Sequence, residues 1–574
     1  MKGKILGGIA SVYYPKLFTT LRGYNLKTFT SDLIAGIIVG VVALPLAIAF
    51  GIASGVSPER GLVTAVIAGF LISALGGSRT QIGGPTGAFI VIVYGIVEKF
   101  GVEGLIVATI LAGFMLVGMG VLRLGTIIKF MPYPIVVGFT SGIALVIFSS
   151  QIRDFFGLQV SQAVPSDFIE KWQFYLNNFS SVNYYALGIG VFTVLISFLW
   201  PRINRRIPGT LIALIVSTLA VYFMEMPVET IGSRFGTIRA TIPSPSIPVV
   251  SWETFRMLLA PAFTVAMLGA IESLLSAMVA DGATGGRHRS NTELIGQGIA
   301  NIITPIFGGI PATGAIARTM TNIRNGGKTP VAGMIHAVVL LLILLFFGNL
   351  AKLIPMSCLA GILVVVAYNM SEWRSFKGLL KNSTYEVAVL LTTFLLTVII
   401  DLTVAIQFGL LLAVLLFLKR VIDSSGVKVL DMAVDDEHAE EPETAPKLSI
   451  PEKVEVFEVS GPFFFGVANK FDEAESQVLE HPYVRIIRLY RVPFIDATGL
   501  SNLKSFIRKS QSNGITVVIS GPVKSVYDEL EKGQVIALVG QENVCADINL
   551  ALNRASELVG LIKREHHHKH GHHS

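Results

Sequence analysis

The 574-residue chain is 52% hydrophobic and only 15% charged, a balance that excludes a soluble multidomain enzyme and makes the bilayer its main solvent. Its net charge of +6 sits on basic residues in short loops between apolar runs, the positive-inside pattern rather than a nucleic-acid-binding surface. Two cysteines, Cys358 and Cys545, supply neither a disulfide framework nor a metal-ligand cluster.

In chain order, residues 1–30 carry Lys2, Lys4, Lys16, Arg22 and Lys27 without an apolar core followed by a cleavage site, and are expected to stay as a cytoplasmic N-terminal segment. Residues 31–422 form the membrane domain. Apolar runs at 32–52, 104–121, 132–152, 184–200, 208–225, 262–280 and 331–348 each approach the ~20 residues that cross hydrocarbon as a helix. Shorter runs raise the expectation to about 14 spans. With spans alternating from a cytoplasmic N-terminus, the inside loops, including "PRINRR" at 201–206 and "RHR" at 287–289, hold roughly 20 Lys and Arg against roughly 8 outside. Both termini are therefore expected in the cytoplasm. Near 420 the spans give way to an acidic linker, 423–446. A separate domain follows at 447–562, where β-rich runs alternate with amphipathic stretches at 466–480, 499–511 and 522–532, a small sheet packed by helices. The His-rich end, 563–574, reads as a disordered tail.

Two stretches inside the membrane domain repeat each other. "GGPTGAF" at 83–89 and "GGIPATGAI" at 308–316 share the triplets Thr86-Gly87-Ala88 and Thr313-Gly314-Ala315, each third in order within its half of the domain. The apolar helical stretch after each, 87–97 and 314 to about 323, is too short to cross the bilayer. Paired interrupted segments point to an inverted-repeat transporter whose site lies between the repeats. Each half holds about seven spans, an odd number that turns the second copy upside down. Two half-helices starting near the midplane, with Pro85 and Pro311 as their first residues, would aim unpaired N–H groups and positive dipole ends at one space.

Thr86 and Thr313 would add hydroxyl donors there. Arg318, one turn beyond Gly314, either completes the anion field or snorkels to the interface with Arg324 and Lys328. Glu272 sits mid-span in "AFTVAMLGAIESLLSAMVA", with Ser276 one turn along; it either exchanges a proton, coupled to Arg318, or holds two spans together by a structural bond. Pro45 kinks the first span or frees carbonyls to line the cavity, and Phe50 and Phe89 form an apolar wall or pack against helices. Asp401 reads as a loop residue and His336 as a satisfied core histidine. No Walker loop, G-x-S-x-G elbow or other enzyme constellation is present, so no catalytic residue, cofactor or metal is expected.

Together "ALPLAIAFGIASGVSPERGLVTA", "GGPTGAF", "GAIESLLSAMVADG", "NTELIGQGIANIITPIFGGIPATGAIART" and "FIDATGLSNL" resemble the SulP anion transporters, solute carrier family 26 in animals. The chain looks like the bacterial branch that contains the C4-dicarboxylate transporter of enteric bacteria. The resemblance implies fourteen segments in a 7+7 inverted repeat, divided into core and gate, with a C-terminal α/β STAS domain and assembly as a homodimer in the bacterial inner membrane. It places substrate against Thr86, Gly87, Ala88 and Phe89 and against Thr313, Gly314, Ala315, Ile316 and Arg318. Pro45, Phe50, Glu272 and Ser276 would close the site. Leu46 stands where many eukaryotic members have Gln. Glu272 and Ile316 stand where sodium-bicarbonate members have Asp and Thr, which favours protons over sodium. The implied function is proton-coupled uptake of C4-dicarboxylates such as succinate and fumarate, with sulfate or bicarbonate transport, or an uncoupled anion channel, as alternatives. In "DATG", Thr498 occupies the position phosphorylated in related STAS domains; its other reading is a helix N-cap. The STAS domain would bind a cytoplasmic partner or support the dimer.

Overall fold

The computed structural model describes residues 13–126, 132–160, 164–165, 167–204, 208–236, 241, 243–246, 248–249, 251–400, 402–430, 449–465 and 482–570. The first twelve residues, most of the acidic linker, the helix expected at 466–480, Asp401 and the last four residues lie outside these. The chain divides into two compact units, residues 1–413 and 414–574.

Helices fill the first unit because a chain in lipid must satisfy its backbone internally. They are α1 (Leu26–Ala53), α2 (Pro58–Leu75), α3 (Ile90–Val121), α4 (Tyr133–Phe156), the short α5 (Phe168–Asn178), α6 (Tyr184–Ile203) and α7 (Gly209–Phe223). The second half repeats the pattern with α8 (Trp252–Thr284), α9 (Ser290–Ile306), α10 (Ile316–Arg324), α11 (Pro330–Phe347), α12 (Met356–Met370), α13 (Thr384–Ile399) and α14 (Leu402–Ser424). Among the described residues, nine helices are long and apolar enough to cross a membrane and two more are apolar but shorter. One of the nine is broken at Gly101 (φ 69°, ψ −175°), so α3 is a short helix joined to a full one. With α9 and the nine-residue α10 counted, fourteen segments result.

Packing sorts these helices into two groups, each drawn from both halves. In one, α11 lies on α1 and α2, and α3 on α8 and α9; in the other, α4 packs on α12 and α13, and α6 on α7 and α12. Pro45 is buried inside an unbroken α1.

The second unit contains a five-stranded sheet in the order β3 (Gly426–Leu430), β4 (Val454–Ser460), β5 (Val484–Arg491), β6 (Thr516–Ser520), β7 (Val544–Cys545). Strand β3 runs antiparallel to β4 and the remaining pairs are parallel. It falls in the stretch expected to be linker: its short β-branched run finds a ladder partner that composition alone does not reveal. Strand β5 is buried from Val484 to Ile487 because both faces are covered. On one side Phe457, Ile487 and Val517 pack with Phe506 and Leu503 of α15 (Ala497–Ser512); on the other Val456, Ile486 and Val518 meet Ala551 and Ala555 of α16 (Ile548–His570). Helix α16 continues to His570, so the tail expected to be disordered is helical for most of its length, propagated from a packed turn.

Candidate functional site

The two repeated motifs meet. Residues Gly83–Gly84 (β1) pair antiparallel with Thr313–Gly314 (β2), Gly83 opposite Gly314 and Gly84 opposite Thr313. Buried backbone needs partners, and each broken segment finds them on the other. The Ala315 N–H extends the ladder to the Ile82 carbonyl at 2.9 Å. Antiparallel pairing of equivalent segments is the local form of an inverted repeat.

A polar stripe on α9 holds these segments in place. Residues Glu293, Gln297 and Asn301 are four apart and share a helix face. Asn301 clamps Ala312 from both sides, accepting its N–H at 2.9 Å and donating to its carbonyl at 2.8 Å. The Glu293 carboxylate accepts from the N–H groups of Gly77 (2.7 Å) and Ser78 (3.0 Å) and from Gln297 (2.9 Å). From the other half, Thr64 accepts the Ile310 N–H at 2.7 Å.

A 3-10 turn, Gly87–Phe89, leads into α3, and Ile316 begins α10. The prolines are not their first residues: Pro85 and Pro311 lie in the extended segments ahead of the turns, where a missing N–H costs nothing. Arg318 is only 2% exposed, which removes the snorkelling alternative. Its Nη2 donates to the Pro85 carbonyl, tying α10 to the opposite repeat. A Cβ on Gly84 would lie 2.6 Å from Arg318 Nη1, so the guanidinium end would have to shift, and at φ +146° the backbone conformation itself demands glycine. Nη1 itself has no hydrogen-bond partner among the described residues, and neither does the buried Thr86 hydroxyl.

Thr313 is engaged, with its hydroxyl 2.6 Å from Ser273 and donating to the Gly269 carbonyl at 3.1 Å. Ser276 lies 3.3 Å from the Thr319 hydroxyl, which accepts the Ile82 N–H at 3.0 Å. Gln81 donates to the Ser273 carbonyl at 3.3 Å. Glu272, between Gly269 and Ser273 in sequence, is buried and makes no hydrogen bond or ion pair among the described residues; it does not pair with Arg318. Phe50, Phe89, Ala88 and Ala315 are buried, Ile316 partly so. Phe50 and Met370 close on Gly87, where a Cβ would lie 3.6 and 2.8 Å away, and Phe89 approaches Gly269. His336, expected to be a core histidine, is fully buried in α11 with its ring beside Gly69.

Sequence reasoning missed Ser273, Thr319, Gln81 and the α9 stripe. The stripe carried a signal, polar residues every fourth position in an apolar stretch, while Ser273 and Gln81 are marked only by their neighbours in space. In the STAS domain, the N-cap of α15 is Asp496, whose carboxylate accepts the Gly499 N–H at 2.7 Å. Thr498 is not the cap; it is the second helical residue and is exposed.

The sulfate permease family model matches residues 29–393, well over half the chain, and the STAS domain model matches 445–551. The chain belongs to the sulfate permease family. A Bacillus subtilis (strain 168) protein named "Putative sulfate transporter YvdB" is 42% identical over 91% of this chain and 97% of its own length. The bicarbonate transporter BicA of Picosynechococcus sp. is 31% identical over 88% of this chain and 91% of its own. The solved transmembrane domain of a cyanobacterial BicA superposes with a TM-score of 0.60 at 32% identity, covering 68% of this chain and 98% of that one. The overall structure of SLC26A9, at 18% identity, shares the fold with a TM-score of 0.86 over 98% and 95% of the two chains. This family member is thus a multi-pass anion transporter and not an enzyme.

Proposed function

We propose that the chain carries small oxyanions across the membrane by alternating access, binding them where β1 and β2 meet. The observation that carries this reading is the pair of polar groups left open beside that junction, Arg318 Nη1 and Thr86 Oγ1, on opposite repeats at the start of two helices. A cation and a hydroxyl denied partners in a water-poor site are complementary to an anion, and the N-terminal N–H groups of α3 and α10 add to the same field. Sulfate and bicarbonate stand first as substrates, since those are the anions in the relatives' names. A four-carbon dicarboxylate remains the expectation of the bacterial-branch resemblance.

Glu272 is the proposed proton carrier: a buried carboxyl without a partner, one residue from Ser273 in the same network, has a reason to change protonation as the site loads. Homodimer formation in a bacterial inner membrane, with both termini cytoplasmic, belongs to the same proposal. A competition panel of sulfate, bicarbonate and succinate against labelled uptake into proteoliposomes, with and without an inward pH gradient, tests substrate and coupling together. Uptake of sulfate or bicarbonate that succinate alone displaces would reverse the substrate order. Glu272→Gln is expected to keep anion movement while abolishing its dependence on the pH gradient; retained dependence would remove Glu272 from coupling.

A further inference from the structure

Away from β1 and β2, a cavity of about 500 Å³ opens between α1, α3, α4 and α5. None of the residues assigned to the central site lines it, but Ile90, the first residue of α3, does. From there it runs to the end of the bundle that carries α5. Helix α5 is amphipathic and capped by Asp167, which accepts the N–H groups of Ile169 and Glu170 at 2.9 and 3.0 Å. Tyr175 anchors the helix against Ile152 and Leu158, and Lys171, one turn earlier on the same face, is carried inward with it.

Lys171 is 8% exposed and lines the cavity, and its ammonium makes no hydrogen bond or ion pair among the described residues. Burial lowers its pKa, partly opposed by Glu98 and Asp167. Arg153 lines the same space with its Nε buried and unbonded. The adjacent Arg234 is in a different condition, forked onto Asp154 at 2.6 and 3.0 Å and held by Glu229, so Asp154 is already committed. Arg153 and Lys171 are therefore left facing the cavity, with Glu98 and Lys99 exposed at its rim and Asp167 engaged as a cap.

We propose that this cavity holds a second anion site, in which Lys171 Nζ and the Arg153 guanidinium bind a small oxyanion taken from solution before it reaches the half-helix at Ile90. The site rests on the reading of the chain as an oxyanion transporter. It gives the buried Lys171 an anionic partner beyond Glu98 and Asp167, which lie near enough to raise its pKa but form no ion pair with it among the described residues. It also raises local substrate concentration ahead of the central site.

Two measurements test it. In proteoliposomes sorted for orientation, Lys171→Gln is expected to raise the KM for sulfate about fivefold with kcat little changed, and Lys171→Arg to restore it, as for one partly screened charge-assisted contact. An unchanged KM, or a fall in kcat that Lys171→Arg does not rescue, would overturn the proposal. Crystals of the full chain soaked in selenate are expected to show anomalous density within hydrogen-bond reach of Lys171 Nζ, lost in Lys171→Gln and retained in Arg318→Ala. No density at Lys171, or density that survives Lys171→Gln, would also overturn it. If the wild-type chain transports no oxyanion, the transport reading fails separately and the selenate result still decides the site.

Discussion

The two broken segments answer the same structural problem with different chemistry. Residues 83–89 bring glycines, Pro85 and Thr86 but no charge, whereas 313–318 bring Thr313 and Arg318 and are wired into α8 and α9 by Ser273, Thr319 and Asn301. Internal repetition supplies the geometry twice and the charge once. The first segment is shaped to receive the guanidinium of the second: Gly84 makes room for it and the Pro85 carbonyl accepts from it. Inverted repeats therefore need not contribute equally to a site, because two buried arginines facing each other would repel where one and a carbonyl attract.

The sharpest way to break this asymmetry is Arg318→Ala, expected to lower uptake by at least about 100-fold, the scale of a buried charge-assisted contact, while the protein still elutes as a folded species. Normal uptake would move the site elsewhere. Next in size, Gly84→Ala places a methyl against Arg318 Nη1 at a positive φ and is expected to destabilise by about 2 kcal/mol and to cut uptake with it, read by thermal melting and flux on the same sample. The hydroxyls then separate the segments. Thr313→Val removes a bonded hydroxyl and leaves the Gly269 carbonyl and Ser273 short of a partner, costing about 1–2 kcal/mol of stability. Thr86→Val removes a hydroxyl with no partner among the described residues, so it is expected to leave the melting temperature unchanged and weaken KM alone. Equal losses of stability in the two variants would erase the distinction. The smallest effect falls in the STAS domain: Asp496→Ala is expected to cost about 1 kcal/mol as a lost N-cap and Thr498→Ala almost nothing, compared by denaturant melts of the full chain.

Much of the fold was legible because bilayer thickness converts directly into runs of apolar residues, and because broken helices announce themselves by glycine and proline inside such runs. The paired motifs and Arg318 follow from that, while the C-terminal domain showed in its alternating β-rich and amphipathic runs and its STAS class in the resemblance of "FIDATGLSNL". Less legible was what each side chain touches. Glu272 and Arg318, both charged and both buried, invite pairing on paper, yet Arg318 bonds to Pro85 while Glu272 stands without an ion partner. Thr498 looks like a cap because threonine caps well, but Asp496 two residues earlier reaches the free N–H first. Strand β3 was hidden at the edge of an acidic stretch, since five residues say little until a ladder partner is known.

By itself, the sequence determined that this chain lives in a membrane, that two of its helices break at matching places and that one of them carries a charge, all consequences of local composition and spacing. Only the tertiary structure decided that the breaks pair as β1 and β2, that Arg318 turns to the Pro85 carbonyl, and that Lys171 is carried inward on α5. Those outcomes depend on which polar groups reach each other across more than two hundred residues of chain in the first two cases, and on how α5 docks in the third. In a medium that offers no water to substitute for a missing partner, that meeting sets which groups stay open for an anion.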